Sequence, residues 1–313
     1  MIDDWYQYAS RRLDLYVQYQ RGFESLHQGE QQWVGDNQSG AENQLWHNEG
    51  NGRFRLVSAS RGYSGGRRHT LGACWFFFDQ DHYPDLYLAN DFGNNVLLRN
   101  RGDGTFEDLS ETSGTSDFAT SMAVAAGDLN NDGQSELYVA NMYSKMGRRI
   151  IAHVSEEDYP PGIFQQIQGS CAGNRLYSHR ADGAYQESSD EAGVNAVGWA
   201  YAPAMVDLDS DGWLDLYATT GFISFDRRKP DGWTCLWRAV VTQPLDRTEK
   251  LPQLGALDEE AGEFWVANPF TMPAERKNLS AFEPNRLYLN VPDAPFLDAS
   301  FASAADIDAD SRS

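Results

Sequence analysis

Short stretches of alternating apolar and polar residues recur along the chain and predict β-hairpins. In the clearest copy, Val96–Asn100 reads as a short strand, and Thr105–Leu109 alternates apolar with polar side chains as the return strand. Gly102 and Gly104 lie between the two and supply the positive φ angles that a tight turn needs. We therefore expect an antiparallel hairpin at this point of the chain.

The hairpin is part of a twelve-residue unit that occurs four times without gaps. Every copy has Asn at the first position, Leu at the third and an aromatic residue at the twelfth, and three copies keep Gly at the tenth. Self-similar units of this kind indicate a fold in which one small element is repeated and stacked. The copies begin at Asn43, Asn95, Asn174 and Asn285.

An acidic loop that runs into a strand precedes these hairpins. The two best copies, residues 128–136 and 207–215, read D-x-[DN]-x-D-G-x-x-[DE] and continue as Leu-Tyr; we name them loop 2 and loop 3. Loop 1, residues 77–85, is a degraded copy, because Phe77 replaces the first acid and His82 replaces the glycine. A fourth copy keeps only its strand, at Leu13–Val17.

The order and spacing of these elements predict the fold class. Loops 1 and 2 start about 50 residues apart, which matches the ~40–50 residues of a four-stranded propeller blade. The sequence predicts an all-β fold, a β-propeller of four-stranded blades that is incomplete in this chain, with partly helical insertions. One propeller segment is expected over residues 1–313, with insertions at about 143–172 and 223–283.

The acidic loops have the residue types and spacing that calcium requires. Calcium takes six to eight oxygen ligands at about 2.3–2.6 Å, and a tight loop supplies them from alternate positions around a glycine turn. The first, third and fifth residues would offer side chains, the seventh its backbone carbonyl, and the acid at the ninth would complete the set. This assigns Asp128, Asn130, Asp132, Gln134 and Glu136 in loop 2, and Asp207, Asp209, Asp211, Trp213 and Asp215 in loop 3.

Two other interpretations of the loops bear on this assignment. The closing acid lies at position nine and a strand follows it, so the loops are not EF-hands, and strict octahedral geometry makes magnesium a poorer fit than calcium. Asp, Asn and Gly also form ordinary surface turns without a metal. Loop 1 offers Asp79, Asp81 and Asp85, and whether it holds an ion stays open.

Net charge limits the partners that the chain can have. Its 46 acidic and 25 basic residues give a formal charge of −21, which repels nucleic acid and anionic membranes. No apolar run approaches the ~20 residues of a membrane span, and no signal peptide is visible at the start. We expect neither nucleic-acid binding nor membrane insertion.

The loops and hairpins resemble FG-GAP (VCBS-type) repeats, as found in the propellers of integrin α-subunits. More narrowly, the chain is similar to the cartilage-acidic-protein group, the ASPIC/UnbV-associated family. The resemblance implies a propeller of the seven-bladed type, calcium in the loops, an extracellular or periplasmic setting and no established catalytic residues. It is carried by residues 73–114, 127–142 and 198–222, with further matches at 235–238 and 298–312.

The chain departs from that family pattern at its ends. It shows no export signal, and its last residues stop part-way through a unit. We therefore expect a fragment of a longer, secreted parent protein. The closing acids Asp306, Asp308 and Asp310 would suit the start of a further loop, or the segment that precedes one.

Candidate functions divide into three classes. The first is a calcium-binding module for adhesion or interaction with a protein or glycan, in which the insertions supply a contact surface or only cover a neighbouring blade. The alternative is an extracellular enzyme acting on polysaccharide from the propeller face, and the third is a purely structural array. No HExxH or Ser-His-Asp arrangement is present, so no catalytic residue is predicted. The cysteines Cys74, Cys171 and Cys235 form no metal motif, and free thiols are favoured over one bridge.

Overall fold

The computed structural model describes residues 41–63, 65–144, 147–148, 151–152, 155–158, 162–180, 183–221, 283–292 and 294–306. The expected all-β class is confirmed, because strands dominate this part of the chain. The strands are β1 (Trp46–Gly50), β2 (Arg53–Leu56), β3 (His69–Phe76), β4 (Asp85–Asn94), β5 (Val96–Asn100), β6 (Phe106–Asp108), β7 (Phe118–Gly127), β8 (Glu136–Asn141), β9 (Arg175–His179), β10 (Tyr185–Glu187), β11 (Ala200–Val206), β12 (Asp215–Thr220), β13 (Arg286–Leu289) and β14 (Leu297–Asp298). Short α-helices accompany them, including α1 (Ile163–Gly169) and α2 (Ser189–Ala192).

The strands form three antiparallel blades of four strands each, and pairing of β4 with β7 joins the first two blades into one eight-stranded sheet. Blade A is β3-β4-β5-β6, blade B is β7-β8-β9-β10, and blade C is β11-β12-β13-β14. A hairpin of β1 and β2 precedes blade A. All four hairpins expected from the repeated unit are therefore present. The first strands of successive blades, β3, β7 and β11, contact one another, as strands around a propeller axis do.

Strand alternation places the core between the blades. In β8, Leu137 and Val139 pack toward blade A, among Phe76, Tyr87 and Leu97. Tyr138 and Ala140, the residues of β8 that alternate with them, pack toward blade C. Each central strand thus buries both of its faces, which explains why β8 is apolar along most of its length.

The repeated asparagine connects the second strand of each blade to the third. In blade B the Oδ1 of Asn174 accepts a hydrogen bond from the backbone N–H of Asn141 at 2.9 Å, and its Nδ2 donates to the hydroxyl of Tyr138 at 2.8 Å. That hydroxyl donates to the carbonyl of Val194 at 2.7 Å, so a buried chain of hydrogen bonds fixes the hairpin. The same amide contact joins Asn95 to Asn90 and Asn285 to Thr220.

Both expected insertions leave the blades at the end opposite the acidic loops. They follow β8 and β12, which run away from loops 2 and 3. The first contains α1, whose last residue Gly169 approaches β7 so closely that a Cβ would lie 2.1 Å from the carbonyl oxygen of Phe118. Of the insertion at 223–283, all but Glu283 lies outside the described residues, as do Cys235 and the acids Asp308 and Asp310.

Candidate metal centre

The three acidic loops each join the first strand of a blade to its second strand. Loop 1 follows β3, loop 2 follows β7 and loop 3 follows β11, so all three lie at one end of the blades. Loops 2 and 3 contact each other, since Asn131 Nδ2 donates to the carbonyl of Gly212 at 3.2 Å. Asn290, in the hairpin of blade C, also reaches across and donates to the carbonyl of Leu129 at 2.6 Å.

Loop 3 brings three of its carboxylates together. Within the described residues, Asp207, Asp209 and Asp215 form the one group of three or more acidic, His or Cys side chains whose ligand atoms all lie within 4.8 Å of one another. Partial removal of water raises the pKa of Asp209, and the charges of Asp211 and Asp215 raise it as well, although most of this side chain remains exposed. The loop therefore concentrates negative charge at one point, open to solvent on one side.

Hydrogen bonds to the backbone explain how loop 3 turns. Asp207 accepts from the N–H groups of Asp211 and Gly212 at 3.1 and 3.0 Å. Ser210 and Gly212 have φ angles of 65° and 93°, so the chain reverses tightly around the first acid. Asp211 instead bonds to the end of its own loop, since its Oδ1 accepts from the N–H of Trp213 at 2.9 Å. The loop acids thus shape the turn as well as supplying candidate ligands.

Loop 2 repeats this geometry with one neutral side chain. Asp128 accepts from the N–H groups of Asp132 and Gly133 at 3.0 and 2.8 Å, as Asp207 does in loop 3. The amide of Asn130 donates from Nδ2 to Asp132 Oδ2 at 3.1 Å and to Glu136 Oε1 at 3.4 Å. The donor N–H of Asn130 therefore lies where the two acids converge, and a cation there would require the amide to rotate and present its oxygen.

The acid at position nine closes each loop against its own backbone. Asp215 Oδ2 accepts from the N–H of Leu208 at 2.8 Å, and its Oδ1 accepts from the N–H of Asn290 in the following hairpin at 2.9 Å. Glu136 accepts from the N–H of Leu129 at 2.7 Å in the same way. These acids are buried, and each ties the start of its loop to the strand that follows.

In loop 1 an arginine occupies the space between the acids. Arg99, on β5, donates from Nε to Asp79 Oδ2 at 2.7 Å and from Nη2 to Asp81 Oδ2 at 3.3 Å. Asp85 accepts from the N–H groups of Phe78 and Asn100 at 2.8 and 2.7 Å, as Asp215 accepts two such bonds in loop 3. Loop 1 thus places its three acids at the expected positions, but two of them are paired with a cation of the protein itself.

The ligands predicted from the sequence are therefore not equally close together in the three loops. The structure brings together Asp207, Asp209 and Asp215, while Asp211 accepts from the N–H of Trp213. In loop 2, Asp128 and Glu136 repeat the backbone hydrogen bonds of loop 3, but the three acids of that loop do not converge in the same way. The contribution of Arg99 was not predicted from the sequence. The sequence signal for it is a basic residue at a hairpin position that is Ser178 in blade B and Leu289 in blade C.

Burial makes the closing acid of loop 2 sensitive to pH. The pKa of Glu136 is raised from 4.5 to about 7, mainly by burial and also by the charges of Asp132 and Asp128, while the N–H of Leu129 opposes the rise. The folded protein binds this proton more tightly than the unfolded chain, so the stabilisation is present at low pH and is lost as the pH rises from about 4.5 to about 7.

We expect the metal-free protein to lose about 3 kcal/mol of stability through Glu136 alone as the pH rises through this window. Urea unfolding at pH 5, 6, 7 and 8 in calcium-free buffer measures the slope. Glu136→Gln should remove this part of the pH dependence, since glutamine does not titrate. Equal slopes for the two proteins would contradict the assignment.

Comparison with known families agrees with this geometry. A family model described as an FG-GAP-like repeat matches residues 78–139, which run from loop 1 through loop 2 into β8. The blades and this match together define the class: an all-β protein of propeller type that carries an FG-GAP-like repeat. Within the described residues, no helix has the length and apolar character needed to cross a bilayer.

Among curated proteins, the chain is similar in sequence to cartilage acidic proteins. The chain is similar to cartilage acidic protein 1 of Homo sapiens, at 26 % identity over 205 residues that cover 54 % of this chain and 30 % of the human protein. The protein of the same name from Xenopus tropicalis is 25 % identical over 194 residues, covering 51 % of this chain and 29 % of that protein. The chain therefore spans less than a third of the length of these relatives.

Proposed function

We propose that loops 2 and 3 each bind one calcium ion, and that the chain is a non-catalytic module through which an extracellular or periplasmic parent protein contacts a protein or glycan. The convergence of Asp207, Asp209 and Asp215 carries this proposal. Three carboxylates within 4.8 Å repel one another strongly unless a cation lies between them. The donor set consists of oxygen atoms only, which favours a hard cation such as calcium.

The residues of loop 2 also fit a calcium ion after one change. Rotation of the Asn130 amide would turn its oxygen toward Asp132 and Glu136 and remove the present donor contacts, at the cost of the 2.9 Å bond that this oxygen now accepts from the N–H of Asp132. A bound ion would supply positive charge that neutralises the acids. The residues of the chain would hold it through Asp128, Asn130, Asp132 and Glu136, with Gln134 placed to add its carbonyl. The ion would then fix each turn between the first two strands of its blade.

The insertions suggest where a partner would be contacted. Residues 143–172 and 223–283 both leave from the end of the blades opposite the metal loops. Long connections on a rigid scaffold are frequent sites of recognition. We therefore assign the loops to stiffening the blades and the insertion end to partner binding, without a catalytic step.

Counting bound ions tests the metal part of the proposal. Metal-stripped protein titrated with calcium by isothermal calorimetry should lose one bound ion when Asp207→Asn and Asp209→Asn are combined. Glu191→Gln is the matched control: Glu191 is an exposed acid on α2, at the opposite end of the blades, so its loss should leave the ion count unchanged. An unchanged count in the loop 3 variant would remove calcium from that loop.

A binding screen tests the interaction part. Glycan and protein arrays probed with the protein in calcium, and again in chelator, should give binding that depends on calcium. Replacing residues 223–283 with a glycine-serine linker should abolish binding while the ion count stays the same. Turnover of polysaccharide or ester reporters by the intact protein would instead favour the enzyme.

A further inference from the structure

Loop 1 differs from loops 2 and 3 at two positions that lie far apart in the sequence. It lacks the first acid, because Phe77 stands there with half of its surface exposed. It also faces a basic side chain, Arg99, which the hairpins of blades B and C replace with Ser178 and Leu289. The arginine therefore occurs in the blade whose loop has lost an acid, and is absent from the two blades whose loops are complete.

The contacts show what the arginine does in that loop. Its guanidinium donates to Asp79 and Asp81, the acids at the third and fifth positions, at 2.7 and 3.3 Å. These are the positions from which loops 2 and 3 would direct side chains at an ion. A planar guanidinium with several N–H donors is well suited to join two carboxylates at once.

The backbone of loop 1 also departs from a metal-binding path. In loops 2 and 3 the first acid accepts two backbone N–H bonds. The fourth residue, Asn131 or Ser210, and the glycine at the sixth position both have positive φ angles there. Phe77 cannot accept such bonds, and loop 1 keeps a positive φ only at its sixth residue, His82, at 66°. The turn is retained, but without the two hydrogen bonds that draw the other loops around their first acid.

Charge explains why the arginine and a calcium ion would exclude each other. Loop 2 contains three acids and loop 3 contains four, whereas loop 1 contains three acids with one guanidinium between two of them. A divalent ion entering loop 1 would have to break both arginine contacts and lie beside a positive charge. Loop 1 therefore already has a cation between two of its three acids.

We propose that the Arg99 guanidinium is the resident cation of loop 1, so that an internal ion pair closes this loop and calcium does not bind there. The proposal rests on the proposed function only in so far as loops 2 and 3 take calcium. It makes blade A independent of the calcium concentration, while blades B and C respond to it.

Native mass spectrometry of metal-stripped protein refilled with calcium counts the ions directly. Asp79→Ala should leave the count unchanged relative to the unaltered protein, because loop 1 holds no calcium to lose. A count lower by one would overturn the proposal. Asp209→Ala is the matched variant, since it removes the side chain at the same position of loop 3, and it should lower calcium occupancy. If the unaltered protein binds no calcium at all, the proposed function fails while the assignment of Arg99 stands.

A gain of function provides the second measurement. Phe77→Asp combined with Arg99→Ser gives loop 1 the first acid of the other loops and the hairpin residue of blade B. This variant should bind one more calcium ion than the unaltered protein, whereas Phe77→Asp alone should not. An extra ion in Phe77→Asp alone would show that the guanidinium does not exclude calcium. Circular dichroism checks that the double variant is folded. If the folded double variant gains no ion, the arginine is not what keeps calcium out.

Discussion

Removing calcium is expected to lower the midpoint of thermal unfolding by roughly 10–20 °C. An ion that binds only the folded state stabilises it by about 2.7 kcal/mol when its free concentration is 100 times the dissociation constant. Two such ions add about 5 kcal/mol, and each kcal/mol shifts the midpoint of a protein of this size class by about 2–4 °C. The physical source is the relief of repulsion among the loop acids, above all Asp207, Asp209 and Asp215.

Calorimetric scans in excess calcium and in excess chelator measure this shift. Magnesium at the same concentration should restore less of it, because magnesium dehydrates reluctantly and demands stricter geometry. Combining Asp207→Asn with Asp209→Asn should remove about half of the difference between the two scans, since loop 2 remains. Equal midpoints in calcium and chelator would mean that the acids converge without holding an ion.

Much of the fold was predictable because its signals are local. The hairpins follow from alternation within five or six residues and from glycines such as Gly102 and Gly104, whose φ angles of 76° and 83° only glycine adopts at little cost. The order of loop, strand and hairpin is read from sequence neighbours in the same way. The spacing of the copies then limits the architecture to blades of four strands.

The roles of the repeated residues were not predictable, because they depend on contacts between distant segments. The sequence shows that Asn174 and Tyr138 recur in each unit, but their shared hydrogen bonds join residues 36 positions apart. The hydroxyl of Tyr138 then reaches Val194, which lies 56 residues further along the chain. These contacts become visible only once the blades are assembled.

Loop 1 shows the same limit at the candidate metal centre. Residues 77–85 alone show Asp79, Asp81 and Asp85 but do not decide whether these acids bind an ion. The pairing of β4 with β5 brings Arg99 to these acids from outside the motif. The replacement of glycine by His82 was expected to weaken the loop geometry, yet His82 adopts the positive φ angle of the glycine. Comparing whole units, and not only loops, would have revealed the arginine.

Asp85→Ala is expected to destabilise the protein by about 3–5 kcal/mol, because the carboxylate holds two backbone groups. Asp85 is fully buried and accepts from the N–H groups of Phe78 and Asn100. Truncation leaves both donors without their acceptor, and each buried donor left unpaired costs about 1–3 kcal/mol. Asp103→Ala, an exposed acid in the hairpin turn of the same blade, should cost less than about 1 kcal/mol. Urea unfolding of the two variants measures the difference.

The corresponding change in blade C separates the structural role of a closing acid from its role toward a metal. Asp215 accepts the same two kinds of backbone N–H bond as Asp85, but it also belongs to the converging acids of loop 3. Asp85→Ala should therefore cost the same in calcium and in chelator, since Arg99 already occupies loop 1. Asp215→Ala should cost more in calcium, because the variant also loses a ligand. If both variants respond equally to calcium, then loops 1 and 3 do not differ in what they bind.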